Sequence, residues 1–387
     1  MHTAAALSRT AEAGLAAAEA ADVVGVRLAQ LAPGAPCDVV VVIVGPEQLE
    51  QLEDVAAAVE TRLEPGALIG AVAQGVIGPG EEVESGTAVA VWGAALDGGW
   101  VQPFRAWTLR PTGGGLAVAG WPDTGPGDVT LVLADPYSFP AAEVAERVSD
   151  RYAGGALVGG LLTAGDGRSR FLLDGRVHED GAVGLVLRDV AVDAVVSQGC
   201  RPIGEPFTVT QAVRDRVFEL GGEPATARLD HTLADLDDHD RDLIARGGLH
   251  LGIVVDEVQD AYVAGDFLVR GVLGVEPETG ALTVGDRVPV GRTVQFQVRD
   301  AASADDDLRH RLAPFGGAAG ALLFSCTGRG AALFGQPDHD VEAVGAMLAT
   351  DAGVIGAFCA GEIGPVGQRS YLHGFTASVA VFGNEVD

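Results

Sequence analysis

Short apolar runs recur along this chain, each set between glycines or ahead of a polar stretch of helical period. "DVVVVIVG" from Asp38, "DVTLVLAD" from Asp128 and "GALLFSC" from Gly320 lack strict alternation, which predicts strands buried on both faces. Each leads into a helix pattern, "EQLEQLEDVAAAVETRL", "AAEVAERVSDRY" and "DVEAVGAMLAT". A second apolar run follows, "ALIGAV", "ALVGGLLTAG" and "GVIGAFCAGEIGPV", and then a last one, "TAVAVWGAAL", "GAVGLVL" and "TASVAVFG". The unit reads β-α-β-β, and joining its first two strands through a helix implies a parallel, right-handed crossover. A looser version lies between the second and third copies, with "EPATARLDHTLADL", "HLGIVV", "DFLVRGVLGV" and "TVQFQVRDA".

The pattern predicts an α/β (α+β) protein of two similar halves built from repeated β-α-β-β units, in helix-sheet-sheet-helix layers. The boundary is expected in "VVSQGCRPIGEP" (195–206), where strand gives way to Gly and Pro, dividing the chain into 1–197 and 198–387. Laid on each other without gaps, residues 67–80 and 353–366 share Ile69/Ile355, Gly70/Gly356, Gly75/Gly361, Gly78/Gly364 and Pro79/Pro365, while Glu362 falls opposite Val76. The same superposition puts Gly45, Asp135 and Cys326 at the C-terminal ends of equivalent strands, where open α/β sheets place ligands.

Composition narrows the functions. The formal charge of −29 disfavours a nucleic-acid backbone or an anionic membrane surface as partner. All 25 basic residues are Arg, which excludes a lysine Schiff base and a phosphate-loop lysine. Cys37, Cys200, Cys326 and Cys359 are widely spaced without a C-x-x-C pair, so no zinc site is expected and a reducing cytosol is the simplest setting. The Ala-rich N-terminus is broken by Glu12, Glu19 and Asp22 at helical spacing, which reads as a packed helix and not a signal peptide. No apolar run approaches the roughly 20 residues that span a bilayer, and a cytoplasmic location is expected.

The stretches "GVIGPGEEVESG" (75–86), "SQGCRPIGEPFTVTQA" (197–212), "GRTVQFQVRDA" (291–301), "LLFSCTGRGAALFGQPDHD" (322–340) and "GEIGPVGQRSYLHGFTASVAVF" (361–382) occur in an order that resembles the FIST family of F-box and intracellular signal-transduction proteins. The resemblance covers the chain from about residue 30. It implies a FIST N-like module over 1–197 and a FIST C-like module over 198–387, acting as a sensory module for a small ligand such as an amino acid. No F-box, kinase or cyclase segment is read beside the paired modules, so the expectation is that any signalling output falls to a separate protein, or that the chain does something other than signalling. Haem, which some bacterial members bind in reporting nitric oxide to histidine kinases, enters as a cofactor only through this resemblance.

The candidate site residues cluster in the C-terminal half. Cys326, Arg329 and Gly330 form a strand end and glycine turn where backbone N–H groups approach a ligand and a guanidinium can fork onto a carboxylate. The alternative is a buried small cysteine in a tight turn. Glu362 occupies a slot that is apolar in the first copy, so it needs a partner or a proton. Arg329, Arg369, His373 and a ligand amine are candidate partners, and a structural Glu–Arg pair is the competing reading. His373 would complete a Cys-His-acid set with Cys326 or supply an axial haem ligand, although a structural histidine is commoner. Asp135 and Arg201 are secondary candidates, at the equivalent strand end and at the junction of the halves. Asp338 is expected to cap a helix, "DHTLADLDDHDRD" to be a solvated acidic segment, and the four tryptophans to pack between the halves or floor a pocket. The reading this favours is a binder of a small polar metabolite in the C-terminal half, ahead of a cysteine enzyme using Cys326 and His373 and of a haem-based sensor.

Overall fold

A computed structural model describes residues 1–111, 114–151, 155–259 and 261–383. The chain forms two compact units: Met1–Val196 with Arg309–Leu372 and Thr376 onward, and Ser197–Leu308 with His373–Phe375. The change from strand to Gly- and Pro-rich sequence near residue 197 thus marks entry into the second unit, and the chain returns to the first at Arg309.

The first unit contains the repeated motif three times. Copy one runs β1 (His2–Ser8), α1 (Ala13–Leu31), β2 (Val39–Val44), α2 (Leu52–Leu63), β3 (Ala67–Val72), the hairpin β4 (Gly75–Gly78) and β5 (Glu81–Val83), and β6 (Val89–Ala95). Copy two runs β7 (Trp100–Leu109), β8 (Ala117–Ala119), β9 (Val129–Ala134), α3 (Ala141–Arg151), β10 (Ala156–Leu161), β11 (Phe171–Leu173), β12 (Arg176–His178) and β13 (Ala182–Arg188). Copy three opens with β14 (Val192–Gln198), where the second unit interrupts it.

Within the second unit lie β15 (Cys200–Pro202), β16 (Phe207–Val213), β17 (Arg216–Leu220), β18 (Glu223–Pro224), α4 (Ala225–Ala234), α5 (Asp238–Leu243), β19 (Leu249–Val254), β20 (Phe267–Glu276), β21 (Ala281–Val284) and β22 (Thr293–Arg299). Strands β22-β16-β17-β21-β20-β19 pair in that order, and β19 pairs back to β22, which closes an antiparallel barrel around Leu251, Leu282, Val294 and Phe296. Closure leaves no edge within that ring. This is where the looser fourth repeat was expected. Its strands pair antiparallel throughout, because the strands on either side of α4 and α5, β18 and β19, do not pair with each other and so form no parallel crossover.

Helix α6 (Ala301–Leu312) leads back from the second unit, its residues up to Leu308 still belonging there, and copy three continues with β23 (Ala318–Cys326), α7 (Ala331–Phe334), α8 (His339–Gly345), β24 (Leu348–Cys359), β25 (Gly361–Val366), β26 (Arg369–His373) and β27 (Thr376–Phe382). The three sheets of the first unit have one plan. They read β1-β6-β2-β3-β11-β12, β8-β7-β13-β9-β10-β25-β26 and β14-β27-β23-β24-β4-β5. Each copy therefore supplies four neighbouring strands of one sheet and sends its hairpin to another. Copy one gives β4-β5 to copy three, copy two gives β11-β12 to copy one, and copy three gives β25-β26 to copy two.

The exchange explains the doubly buried strands. One core, with Val41, Trp92, Leu131, Phe171, Leu322 and Phe324 among its members, is drawn from all three sheets. Helices α1 and α2 cover the outer face of the first sheet and α3 that of the second, while the inner faces of all three sheets share the core. An equivalent glycine marks the second strand of every copy. A Cβ on Gly70, Gly159 or Gly356 would lie 2.7, 1.9 or 1.9 Å from the carbonyl oxygen of Val42, Val132 or Leu323, so no larger residue fits that close approach. Trp92 lies within this unit, donating to the Gly353 carbonyl at 3.2 Å and packing 4.9 Å from the Phe382 ring.

Candidate functional site

The strand pairs align the copies without reference to sequence. Gly160 faces Glu362, Ala357 faces Val76 and Ala71 faces Phe171 across equivalent antiparallel contacts. Counting from Val42, Val132 and Leu323 then makes Gly45, Asp135 and Cys326 equivalent, and likewise Gln48, Ser138 and Arg329. The last strands align through Val42–Val91, Val132–Gly184 and Leu323–Val379, which makes Ala88, Gly181 and Thr376 equivalent.

One hydrogen-bonding task is shared by the copies and solved differently in the third. In copy one the Ala88 N–H donates to the Gln48 side-chain oxygen at 3.1 Å. In copy two the Gly181 N–H donates to Ser138 Oγ at 2.8 Å. In copy three the equivalent of these acceptors is Arg329, whose guanidinium accepts nothing. The Thr376 N–H instead donates to Glu362 Oε2 at 3.1 Å, and Thr376 Oγ1 donates to the same oxygen at 2.8 Å. The carboxylate in this apolar stretch thus satisfies a backbone donor that the loop has ceased to serve.

Arg329 turns to Asp340. Its Nε and Nη2 donate to the two carboxylate oxygens at 2.7 and 2.9 Å, and neither side chain is exposed to solvent. Asp340 Oδ2 also accepts from Ser325 Oγ at 2.7 Å, while His339 Nδ1 lies 3.0 Å from Oδ1. The His339 ring stacks on Phe334, with centroids 3.4 Å apart, and the Arg329 guanidinium lies 5.2 Å from that phenyl centroid. Burial alone would raise the Asp340 pKa. The Arg329 charge and fork, with the His339 and Ser325 bonds, outweigh it and hold the carboxylate well below its usual range. Burial likewise opposes the charge on Arg329, and Asp340 overcomes it.

The hairpin donated by copy one closes the site. The Glu82 N–H donates to Asp338 Oδ1 at 2.6 Å, and Glu82 Oε1 accepts from the Val341 N–H at 2.9 Å. Asp338 stands at the N-cap of α8 and Val341 is its third residue. This is the reciprocal logic of a capping box, divided between segments far apart in sequence. Asp338 was expected to cap its own helix. Held at φ +65°, it makes no such bond, and Glu82 does the capping. Glu84 Oε1 accepts from the Ala331 N–H at 2.7 Å, at the start of α7. Burial, then the neighbouring Asp340 charge, pushes the Glu82 pKa up to about 7.

Among the described residues of this site, three buried polar atoms have no hydrogen-bond partner: Glu82 Oε2 on the donated hairpin, and Arg329 Nη1 and Glu362 Oε1 beside each other's charge. Burial raises the Glu362 pKa to about 8 against the Thr376 bonds, the Arg329 charge and a hydrogen bond with Cys326. Arg329 in turn feels the charges of Cys326 and Glu362. Cys326 is paired in register with Cys359 across β23 and β24, and burial pushes the Cys359 thiol well above its usual range. The structure therefore brings Cys326, Arg329, Gly330 and Glu362 together. Missed by sequence reasoning were Asp340, Thr376, Ser325 and Glu82. Only the equivalence of Arg329 with Gln48 and Ser138 could have pointed to Thr376.

His373 is buried at the end of β26 and belongs to the second unit. Asp135 accepts from Ser138 Oγ and from Ser169 Oγ at 2.8 Å, so both carboxylate oxygens are engaged within copy two. Arg201 bridges Asp240 and Asp300 in the second unit, the latter at 3.2 Å. Asp240 belongs to the stretch expected to be solvated. It is buried because α5 turns it toward Arg201. Arg369 pairs with Asp150 at 2.7 Å, and Glu362 takes Thr376 as partner in place of a second arginine.

The third copy of the repeat thus carries a buried polar cluster, Arg329 with Asp340 and Glu362. The chain belongs to the FIST family: the FIST N domain matches residues 38–223 and the FIST C domain residues 225–365. FIST domains are sensory, ligand-binding modules of signal transduction. The chain is similar to the uncharacterized protein Rv0628c of Mycobacterium tuberculosis strain H37Rv, 44% identical over 361 residues, covering 91% of this chain and 93% of that one. It is also similar to the uncharacterized protein Mb0898c of Mycobacterium bovis, 41% identical over 386 residues and covering 98% of each chain. No helix among the described residues is long and apolar enough to cross a membrane.

Proposed function

We propose that this protein binds a small zwitterionic metabolite, an amino acid or a close relative, between Arg329 and Glu362, and passes its presence to a separate signalling protein. The observation that carries this reading is the pair of buried atoms without partners, Arg329 Nη1 and Glu362 Oε1, on side chains that feel each other's charge. Each such atom costs about 1–3 kcal/mol when left unsatisfied, and a ligand that bonds both recovers that cost. A ligand carboxylate accepts from Arg329, and its ammonium donates to Glu362. The Arg329–Asp340 pair sums to zero, so a ligand ammonium meets Glu362 alone, and to accept its bond at Oε1 the carboxyl releases the proton that burial favours. Entry requires local opening, because both side chains are closed to solvent.

A thermal-shift screen of the proteinogenic amino acids, with the matching amines and deaminated acids, tests the reading. At least one amino acid raises the Tm of the wild-type protein, the amine and acid alone do not, and Glu362→Gln abolishes the effect. Stabilisation by none of them, or equal stabilisation of Glu362→Gln, overturns it.

A further inference from the structure

Comparing the three copies exposes a vacancy in the second. Copy one follows its leading strand β1 with the long helix α1, which shares the outer face of its sheet with α2. Copy three has α6 before β23. Copy two follows β7 with the short strand β8 and the segment carrying Trp121, so among the described residues α3 is the only helix on that face. A cavity of about 360 Å³ lies beside that one helix, between α3 and the segment carrying Trp121.

Its walls differ in character. One side carries Val118 and the indole of Trp121, which lies 5.2 Å from the Phe104 ring and 6.2 Å from Phe139. The other is one face of α3, formed by Val144, Arg147, Val148 and Arg151 at the spacing of successive helical turns. Val144 and Val148 are buried in the core beneath, while Arg147 and Arg151 stand exposed at the rim. Asp123, also at the rim, lies 4.0 Å from Arg151. Arg147 has no ion pair among the described residues. The Trp121 Nε1 is buried without an acceptor, so the indole has not found its own polar contact within the fold.

From this geometry we infer a second binding site, between α3 and Trp121, for a small amphiphilic carboxylate with an aromatic or short aliphatic body. The volume falls at the lower end of small-molecule pockets and is too small for a helix. Apolar walls with an aromatic plane take the body, and Arg147 at the rim takes the anion by a charge-assisted fork. This site shares no residue with the one between Arg329 and Glu362, and stands or falls separately from it.

The test is titration of the full chain with 2-naphthoate and octanoate, and with 2-naphthalenemethanol as the uncharged control, read by calorimetry. Saturable binding of a carboxylate is expected, weakened about tenfold or more in Arg147→Gln, with the alcohol weaker by a similar factor. Because Arg147 is exposed, that variant retains the fold. Glu362→Gln binds the carboxylates as the wild type does. Failure of both carboxylates to bind overturns the inference, as does binding that is indifferent to Arg147 or equally strong for the alcohol. Loss of binding in Glu362→Gln would place the carboxylate in the other site and overturn it as well.

Discussion

Glu362 accepts both the N–H and the hydroxyl of Thr376 on one carboxylate oxygen and leaves the other without a partner. In the two sister copies the equivalent amides of Ala88 and Gly181 are served by Gln48 and Ser138. Placing Arg329 at that loop position removed an acceptor and created a buried cation. Asp340 neutralises the cation, and Glu362 replaces the acceptor. The site thus departs from the scaffold by linked exchanges, whose consequences can be measured.

The Arg329–Asp340 pair is closed to solvent, so removing one partner leaves an uncompensated charge. Asp340→Asn is expected to cost about 3–5 kcal/mol in chemical denaturation. Replacing both partners by apolar residues, Arg329→Met with Asp340→Leu, recovers much of that loss. A double variant no more stable than Asp340→Asn would show that the pair's packing, and not its charge balance, holds the loop.

Glu362 gives a pH dependence of unusual sign. Its pKa is raised from 4.5 to about 8 in the folded chain, so between those values the native state holds a proton that the unfolded state has released. Stability from this group therefore falls as pH rises from about 4.5 to 8 and levels off above. Glu82, raised to about 7, acts in the same direction over a narrower window. Denaturation from pH 5 to 8.5 should show the wild type losing stability relative to Glu362→Gln, by on the order of a few kcal/mol at most. A difference that grows in the opposite direction would mean that Glu362 is ionised in the native protein.

The split cap between Glu82 and α8 predicts a remote effect. Glu82→Ala should destabilise the protein by about 0.5–2 kcal/mol, the usual worth of an N-cap. Hydrogen exchange should quicken at the Val341 amide, which loses its acceptor. Unchanged exchange at Val341 would mean that α8 holds without the donated hairpin.

Restoring the acceptor of copy one separates scaffold from function. In Arg329→Gln with Asp340→Leu, residue 329 regains an oxygen able to take the Thr376 N–H, as Gln48 takes that of Ala88. This variant should fold with near wild-type stability and lose every amino-acid-dependent thermal shift. Retention of a shift would move the ligand away from Arg329.

Much of this arrangement could be read from the sequence, because strands buried on both faces write themselves as unbroken apolar runs. The β-α-β-β copies, the equivalence of Glu362 with Val76 and that of Cys326 with Gly45 and Asp135 all came from pattern. The hairpin exchange could not, since period and propensity fix a strand but not its partner. Asp340 was hidden for a related reason. An acidic residue in a first helical turn suits the helix dipole equally well whether it faces water or a buried arginine. Glu82 was hidden because its capping partner is remote in sequence. The barrel between β14 and β23 was read as another repeat because its strands have similar composition, while the missing crossover shows only in the pairing.

The most direct measurement is a high-resolution crystal structure of the protein with the amino acid that most raises its Tm. The account predicts organic density bridging Arg329 Nη1 and Glu362 Oε1, with the Thr376 bonds to Oε2 kept. Density for ordered water alone between those atoms, or an amino acid bound elsewhere, would contradict it.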